Sequence, residues 1–165
     1  MKDNIYSFIV EPEALKRYYS LYVVVATSSN RKKIKIYSGK TGDNREGCNP
    51  VISRCGNHFS YNKIHSQVRN KIFNHENFFF KYFFTHFDKY SNYIDRHKID
   101  KINELERILL KKIETEFSSY NFIELLNTFK GKYQKKFNNF HTKKSLKKID
   151  KLINTVKEYI NEPYT

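Results

Sequence analysis

Two short segments near the start of the chain constrain its fold more than any other feature. Residues 22–27 form a run of β-branched and apolar side chains, and residues 33–37 alternate lysine with apolar side chains. The first pattern is typical of a buried strand and the second of a half-buried strand. Turn-forming residues 28–31 lie between the two segments. The sequence therefore predicts a β-hairpin.

Helical signals follow this hairpin. Residues 40–49 have the composition of a loop, Asn49 is a suitable N-cap, and Pro50 suits the first turn of a helix. We therefore expect a short helix over residues 50–58. A second helix is predicted over residues 61–74, where apolar side chains recur at four-residue steps, namely Ile64, Val68 and Ile72.

An aromatic segment and a long periodic segment follow. Residues 77–87 contain seven aromatic side chains around a single lysine, which favours a central strand buried on both faces. From residue 99 to residue 117, apolar side chains recur at three- and four-residue steps, which is typical of a long amphipathic helix. The predicted class is α/β (α+β), with a small central antiparallel β-sheet flanked by helices.

The end of the chain is strongly basic. Residues 130–165 contain ten lysines against three acidic residues, and this excess is half of the formal net charge of +14. The apolar side chains keep a helical spacing from Leu146 to Ile160. We therefore expect residues 1–125 to form the main domain and residues 126–165 to form a basic helical extension packed on it. The alternative is that the lysines are only a solvated helix face.

The net charge of the chain narrows the chemical class of its binding partner. A charge of +14 on 165 residues points to an anionic partner, and nucleic acid is the first candidate. A bias of an AT-rich genome towards lysine and asparagine codons would give a similar composition. With 39% hydrophobic and 16% aromatic residues the chain is expected to fold rather than stay disordered.

We expect a cytoplasmic protein without membrane contact. The chain has no apolar run of membrane-spanning length, and its first residues do not resemble a signal peptide. The two cysteines provide no disulfide framework, which fits a reducing compartment. They would form a zinc site only together with His58 and His65, and the spacing lacks a Cys-x-x-Cys pair, so Cys55 is expected to be a small buried residue.

The second predicted strand ends in Tyr-Ser-Gly-Lys-Thr, residues 37–41. Gly-Lys-Thr also occurs in phosphate-binding loops, but the glycine that such loops carry four residues upstream is absent here. The segment instead places a phenol beside a lysine at the end of a strand.

Five motifs in order resemble those of the GIY-YIG nuclease family. They span residues 20–121, about two thirds of the chain, and are Ser20-Leu21-Tyr22, Tyr37-Ser38-Gly39, Arg54 followed by His58-Phe59, Glu106-Arg107-Ile108-Leu109-Leu110-Lys111, and Tyr120-Asn121. Ser20 replaces the first glycine of the family pattern. The loop before the helix is long, so Arg45 lies nearer to the second motif, but only Arg54 is followed by the helical His-Phe pair.

The resemblance implies a metal-dependent DNA endonuclease that hydrolyses phosphodiester bonds and leaves a 5′-phosphate, of the restriction, phage or mobile-element type. One of Tyr22 and Tyr37 would take a proton from water and the other would orient the phosphate, and the sequence leaves this choice open. Glu106 would bind one Mg²⁺ (or Mn²⁺) ion, because a hard cation of this kind needs few protein carboxylates. Glu104, two residues earlier on another helix face, is expected to be solvated.

Further roles concern the phosphate and the DNA backbone. Arg54 would bind phosphate oxygens bidentately, His58 would hydrogen-bond the phosphate or a tyrosine, and Asn121 would tether the metal-bearing helix or a phosphate. The predicted partner is double-stranded DNA, and its candidate contacts are Lys35, Lys40, Arg45, Lys143, Lys144 and Lys147.

Two other functions fit the same sequence. A catalytically inactive module of this fold would bind nucleic acid by charge and aromatic stacking without cutting it. A structural or interaction protein would carry its lysines only through genome composition.

Overall fold

The fold is described from a computed structural model, which covers residues 5–30, 32–42, 48–62, 64, 66–91, 93–128 and 135–162. Seven main elements follow one another along the chain. They are β1 (Tyr18–Ser28), β2 (Ile34–Lys40), α1 (Val51–Phe59), β3 (Phe78–Lys89), α2 (Arg96–Phe117), β4 (Ile123–Leu125) and α3 (Lys143–Asn161). The predicted α+β class is confirmed.

The four strands form one sheet in the order β3-β1-β2-β4. β1 pairs antiparallel with both β2 and β3, whereas β4 pairs parallel with β2. The predicted hairpin is confirmed, and the sheet is mixed rather than wholly antiparallel. The short strand β4 is added by the segment that returns from α2.

The strand at the centre of the sheet is β1, and its side chains from Tyr19 to Thr27 are all buried. The prediction that residues 77–87 form the central strand is wrong in position, because β3 lies at one side of the sheet, where most of its side chains stay partly exposed. A strand is buried on both faces only when it has a neighbouring strand on each side and is covered above and below the sheet. The β-branched strand β1, between β3 and β2, meets these conditions.

One face of the sheet packs against α2 and α3. Leu21, Val23 and Val25 of β1 belong to the same hydrophobic core as apolar side chains of both helices. The core positions of the helices are Ile102, Leu105, Leu109 and Ile113 on α2, and Ile149, Ile153 and Val156 on α3. The long helix and the basic C-terminal helix were both predicted from spacing, and both are confirmed.

Local polar groups set the helix ends. The Asp95 carboxylate accepts a hydrogen bond from the Lys98 amide at the start of α2, and the Thr142 hydroxyl accepts one from the Ser145 amide at the start of α3. Both are side-chain N-caps, which compensate for amides that have no partner within the helix. At α1 the cap position is Pro50 rather than Asn49.

The helix predicted over residues 61–74 is wrong. The described part of this segment consists of turns and one short 3-10 helix, Arg69–Lys71. Val68 and Ile72 are buried as expected, but Ile64 is exposed and its amide donates to the Asn62 side chain. Side chains of this kind offer the backbone local alternatives to a helix, which explains the failure of the spacing argument.

None of the helices in the described part of the chain has the length and apolar character needed to cross a bilayer.

We expect the substitution Ile149→Ala to lower the free energy of unfolding by about 2–5 kcal/mol, because it leaves a cavity under a fully buried side chain. Urea unfolding followed by circular dichroism measures this change. The control Ile9→Ala, at a position 93% exposed, should stay within about 0.5 kcal/mol of the wild type. A separate transition for the C-terminal helix, or equal effects of the two substitutions, would contradict a shared core.

Candidate active site

The face of the sheet opposite α2 and α3 carries three tyrosines from three strands. Val24 of β1 pairs with Tyr37 of β2 and with Tyr82 of β3, so these tyrosines point to the same face of the sheet. Tyr22 lies two residues before Val24 and therefore shares this face. His58 approaches them from α1. We call Tyr22, Tyr37, His58 and Tyr82 the tyrosine–histidine cluster.

Both nitrogens of the His58 ring make hydrogen bonds within this cluster. Nε2 lies 3.1 Å from the Tyr22 hydroxyl oxygen, and Nδ1 lies 2.9 Å from the Tyr82 hydroxyl oxygen. The Tyr37 ring meets His58 edge-on, with 5.2 Å between ring centroids, and a hydrogen bond links Tyr22 to Tyr37. The two tyrosines that the sequence motifs single out are therefore joined to each other and to the predicted histidine.

Gly39 makes room for this arrangement. A Cβ atom at this position would lie 2.4 Å from the hydroxyl oxygen of Tyr22 and 2.6 Å from the ring carbon that carries it. Real side chains do not approach this closely, so any other residue would displace the Tyr22 ring. The glycine of the second motif is thus explained by the position of the tyrosine of the first.

Burial keeps His58 neutral. The residue is 3% exposed, and burial together with the nearby Arg54 guanidinium lowers the pKa of His58 to about 4. A neutral imidazole has one N–H donor and one acceptor nitrogen. At neutral pH His58 therefore orients its neighbours by hydrogen bonds and carries no charge towards a phosphate.

Two charged groups act on Tyr37. Burial raises the pKa of Tyr37, and the negative charge of Glu106 acts in the same direction, while Arg54 and the hydrogen bond from Tyr22 act against them. The charges of Arg54 and Glu106 thus reach this phenol, although Glu106 lies on α2, which packs on the other face of the sheet. The structure joins the two predicted tyrosines and the histidine by direct contacts and places the predicted arginine and glutamate within electrostatic range of Tyr37.

Glu106 forms an ion pair with Lys40, the residue that follows the second motif. Its Oε2 lies 2.9 Å from the Nζ of Lys40, at the end of β2, and its side chain is 23% exposed. The pair places the carboxylate at the edge of the sheet and within reach of solvent. One accessible carboxylate fits Mg²⁺, which binds proteins through one or two carboxylates and retains water or phosphate as its other ligands.

Glu104 is not solvated, and that prediction is wrong. The residue is 3% exposed and accepts two hydrogen bonds from Arg107, at 2.7 and 2.6 Å, while Nε2 of His141 lies 2.6 Å from its Oε1. Burial alone would raise the pKa of Glu104, but the hydrogen bonds from Arg107 and His141 outweigh it and lower the pKa. No sequence pattern indicates this pairing, because His141 lies 37 residues after Glu104 and beyond the segment that the motifs cover.

Asn121 lies away from the cluster. It borders a polar surface pocket at the turn end of the hairpin, next to Asn30 and Lys33, whereas the cluster lies towards the other end of β2. A different asparagine is close to the second motif. The Asn127 side chain donates to the Ser38 carbonyl at 2.7 Å and accepts from the Ser38 amide at 3.0 Å, and so continues the sheet beyond β4.

The predicted DNA contacts fall into two groups. Lys35 shares the sheet face of Tyr37 and pairs with Glu124 at 2.6 Å, while Lys40 pairs with Glu106. The second group lies exposed on the first two turns of α3 and comprises Lys143, Lys144 and Lys147. Because His141 bonds Glu104, the start of α3 lies beside the part of α2 that carries Glu106. Arg45 is outside the described residues.

The zinc alternative finds no support in the described part of the chain, where no group of three or more potential ligands occurs. Cys48 donates to the Tyr18 carbonyl and Cys55 hydrogen-bonds Tyr82, so each thiol has a separate local partner. His65 lies outside the described residues.

Sequence reasoning missed Tyr82 and Lys71. Tyr82 was counted only as one aromatic residue of β3, although it is the only tyrosine in a run of phenylalanines on that strand. The Nζ of Lys71 lies 5.5 Å from the centroid of the Tyr37 ring and 2.8 Å from the Leu126 carbonyl oxygen. No pattern signalled Lys71, because it comes from the segment that was predicted as a helix.

We expect Gly39→Ala to lower the free energy of unfolding by about 1–3 kcal/mol, because the new methyl group overlaps the Tyr22 hydroxyl. Gly56→Ala is the matched control, since a Cβ there meets nothing within 4 Å and the position is inside α1. This control should stabilise the protein by about 0.5–1 kcal/mol. Thermal unfolding of both variants checks the signs, and a neutral Gly39→Ala would contradict the packing described here.

The low pKa of His58 makes stability depend on pH. In the unfolded chain its pKa is about 6.5, so between pH 6.5 and about 4 the unfolded state binds more protons than the folded state. The free energy of unfolding should therefore fall as pH falls through this window, by roughly 3 kcal/mol in total. Denaturant titrations across the window should show a flatter pH dependence for His58→Gln than for the wild type. Equal slopes for the two proteins would contradict a buried neutral His58.

No protein-family model matches the chain, and neither a curated protein nor a solved structure matches it. Its function has to be inferred from its own residues and their geometry. The strongest basis for such an inference is the tyrosine–histidine cluster with the adjacent Arg54, Lys40 and Glu106.

Proposed function

We propose that this chain is a metal-dependent DNA endonuclease of the GIY-YIG type. The observation that carries the proposal is that residues from three separate sequence motifs form one cluster, and that charges from the third and a fourth motif act on it. Tyr22, Tyr37 and His58 are linked by hydrogen bonds and ring contacts, and the charges of Arg54 and Glu106 act on Tyr37. Because these motifs lie far apart in the sequence, the cluster that they form supports the resemblance.

The cluster has the groups that phosphodiester hydrolysis needs. An attacking water must lose a proton, and the phosphate must be held while negative charge builds on it. Either Tyr22 or Tyr37 would accept the proton as a phenolate, and Arg54 would bind the phosphate oxygens with its planar guanidinium. The neutral imidazole of His58 would hold the tyrosine ring in place and, being buried, would add no competing charge.

Glu106 is the residue that would hold Mg²⁺ or Mn²⁺. When bound, such an ion would stabilise charge on the phosphate and on the departing oxygen. Lys40 now neutralises this carboxylate at 2.9 Å, so the position already favours a positive charge. Lys40 would then be free to contact the phosphate backbone.

The charge distribution supports DNA as the substrate. The chain carries a net charge of +14, and exposed lysines at the start of α3 lie next to the helix that bears Glu106. Lys143, Lys144 and Lys147 would follow the backbone of double-stranded DNA, which predicts an affinity that falls steeply with salt. A DNA substrate and reduced cysteines are consistent with an intracellular, cytoplasmic location.

Two observations favour an inactive nucleic-acid-binding module as the second candidate. Burial raises the pKa of Tyr37, and Glu106 forms an ion pair with Lys40. A protein that never binds metal would keep both features, and the sequence resemblance would then reflect fold alone.

Cleavage of supercoiled plasmid with Mg²⁺ separates these candidates. We expect nicking or linearisation by the wild type and a loss of at least about 100-fold in rate for Glu106→Gln and for Arg54→Ala, because each removes charge stabilisation of the transition state. Glu114→Gln, at an exposed position two turns further along α2, is the matched control and should cut at the wild-type rate.

Three outcomes contradict the proposal in different ways. Salt-sensitive binding of DNA without any cleavage supports the inactive module. Binding that is absent or insensitive to salt supports a structural protein whose lysines reflect genome composition. Equal loss of activity in Glu106→Gln and Glu114→Gln would separate the reaction from the proposed site.

A further inference from the structure

The hydrogen bonds of His58 lead to a residue outside every sequence motif. His58 lies between two phenols, Tyr22 at Nε2 and Tyr82 at Nδ1, with distances of 3.1 and 2.9 Å. Because a neutral imidazole has one donor and one acceptor nitrogen, it must donate to one of these tyrosines and accept from the other. The direction of donation along this series of hydrogen bonds decides whether each tyrosine hydroxyl is a donor or an acceptor towards a substrate.

The surroundings of Tyr82 fix this direction. Its hydroxyl also hydrogen-bonds the thiol of Cys55, three residues before His58 on α1. The hydroxyl has one proton, which goes either to the imidazole nitrogen or to the sulfur. An imidazole nitrogen is a strong acceptor and a thiol sulfur a weak one, whereas the thiol S–H is able to donate to the phenol oxygen.

The protonation states agree with this assignment. Burial raises the pKa of the Cys55 thiol, and burial raises the pKa of Tyr82 still further, so both groups keep their protons at neutral pH. The favoured order of donation is then Cys55 to Tyr82, Tyr82 to His58, and His58 to Tyr22.

We propose that Tyr82 is a positioning residue of the active site: its hydroxyl donates to Nδ1 of His58 and so holds the imidazole proton on Nε2, which donates to Tyr22. The Tyr82 hydroxyl contacts His58 and Cys55, and it would act on the substrate through His58 and Tyr22.

The same direction assigns different roles to the two motif tyrosines. Since the oxygen of Tyr22 accepts from His58, its own proton is available for the hydrogen bond to Tyr37. The series of hydrogen bonds therefore ends at the oxygen of Tyr37. The hydrogen bond donated by Tyr22 and the positive charge of Arg54 both stabilise negative charge on this oxygen. Once Tyr37 has released its own proton to solvent, its phenolate would be the group that accepts the proton of water, and Tyr22 would be its hydrogen-bond donor. This consequence rests on the proposed nuclease function, whereas the tautomer of His58 does not.

The tautomer is measured on the free protein. Long-range ¹H–¹⁵N correlation spectra of protein labelled with [¹⁵N]histidine distinguish a protonated from an unprotonated ring nitrogen, and the signals of His58 are assigned by their loss in His58→Gln. We expect the proton on Nε2 and a hydrogen-bonded, unprotonated Nδ1. In Tyr82→Phe, the Nδ1 resonance should move to the position of an unprotonated nitrogen without a hydrogen bond. A wild-type spectrum with the proton on Nδ1 would overturn the proposal, even if the variant did not fold.

Kinetics of plasmid cleavage test the consequence for the reaction. Tyr82→Phe should lower kcat by about tenfold and change KM by less than about twofold, because the lost hydrogen bond orients the reacting groups and does not contact DNA. Tyr159→Phe is the matched control: it removes a phenol hydroxyl from a ring that packs on Phe83, on the opposite face of β3. It should leave kcat, KM and the His58 spectrum unchanged.

The two measurements separate this inference from the nuclease proposal. A protein with the proton on Nε2 that cuts no DNA keeps the positioning role of Tyr82 and loses the nuclease function. A protein that cuts DNA with the proton on Nδ1 keeps the nuclease function and loses the inferred direction. Equal effects of Tyr82→Phe and Tyr159→Phe on kcat would also overturn the role of Tyr82.

Discussion

The burial of β1 on both faces is the constraint on which the rest of the structure depends. Leu21, Val23 and Val25 fix the strand against α2 and α3, and the alternate residue Tyr22 then has to face the other side. A shift of one residue in the register of β1 would turn its core side chains to the face of the site and Tyr22 into the core. The apolar core of this small domain therefore also aligns the polar groups of the candidate site.

The sheet face that carries the site combines polar groups with strong desolvation. His58 is held neutral by burial, Tyr82 keeps its proton, and the paired charges of Glu106 and Lys40 are partly exposed to water. A buried polar network is stable only when its members satisfy one another, and here each ring nitrogen of His58 has a phenol partner. This network fixes the positions of the tyrosine and histidine side chains, while the charged groups Glu106 and Lys40 lie outside it.

Much of this could be predicted from the sequence, because it depends on short-range patterns. The hairpin, α1, α2 and α3 follow from alternation or helical spacing, and motif order indicated Tyr22, Tyr37, Arg54, His58 and Glu106. The helix predicted over residues 61–74 fails for a local reason, whereas the other failures depend on contacts beyond the local pattern. The position of β3 at one side of the sheet, the burial of Glu104 by Arg107 and His141, and the pairing of Asn127 with Ser38 are of this kind. Tyr82 was missed because one hydroxyl among many aromatic rings gives no periodic signal.

The bond between His141 and Glu104 joins the basic extension to the helix that carries Glu106. A chain ending before residue 126 would uncover the core side chains that α3 now covers and would deprive a buried carboxylate of one of its donors. Deletion of the extension therefore does not leave an intact main domain, because the two parts share one core and one buried carboxylate.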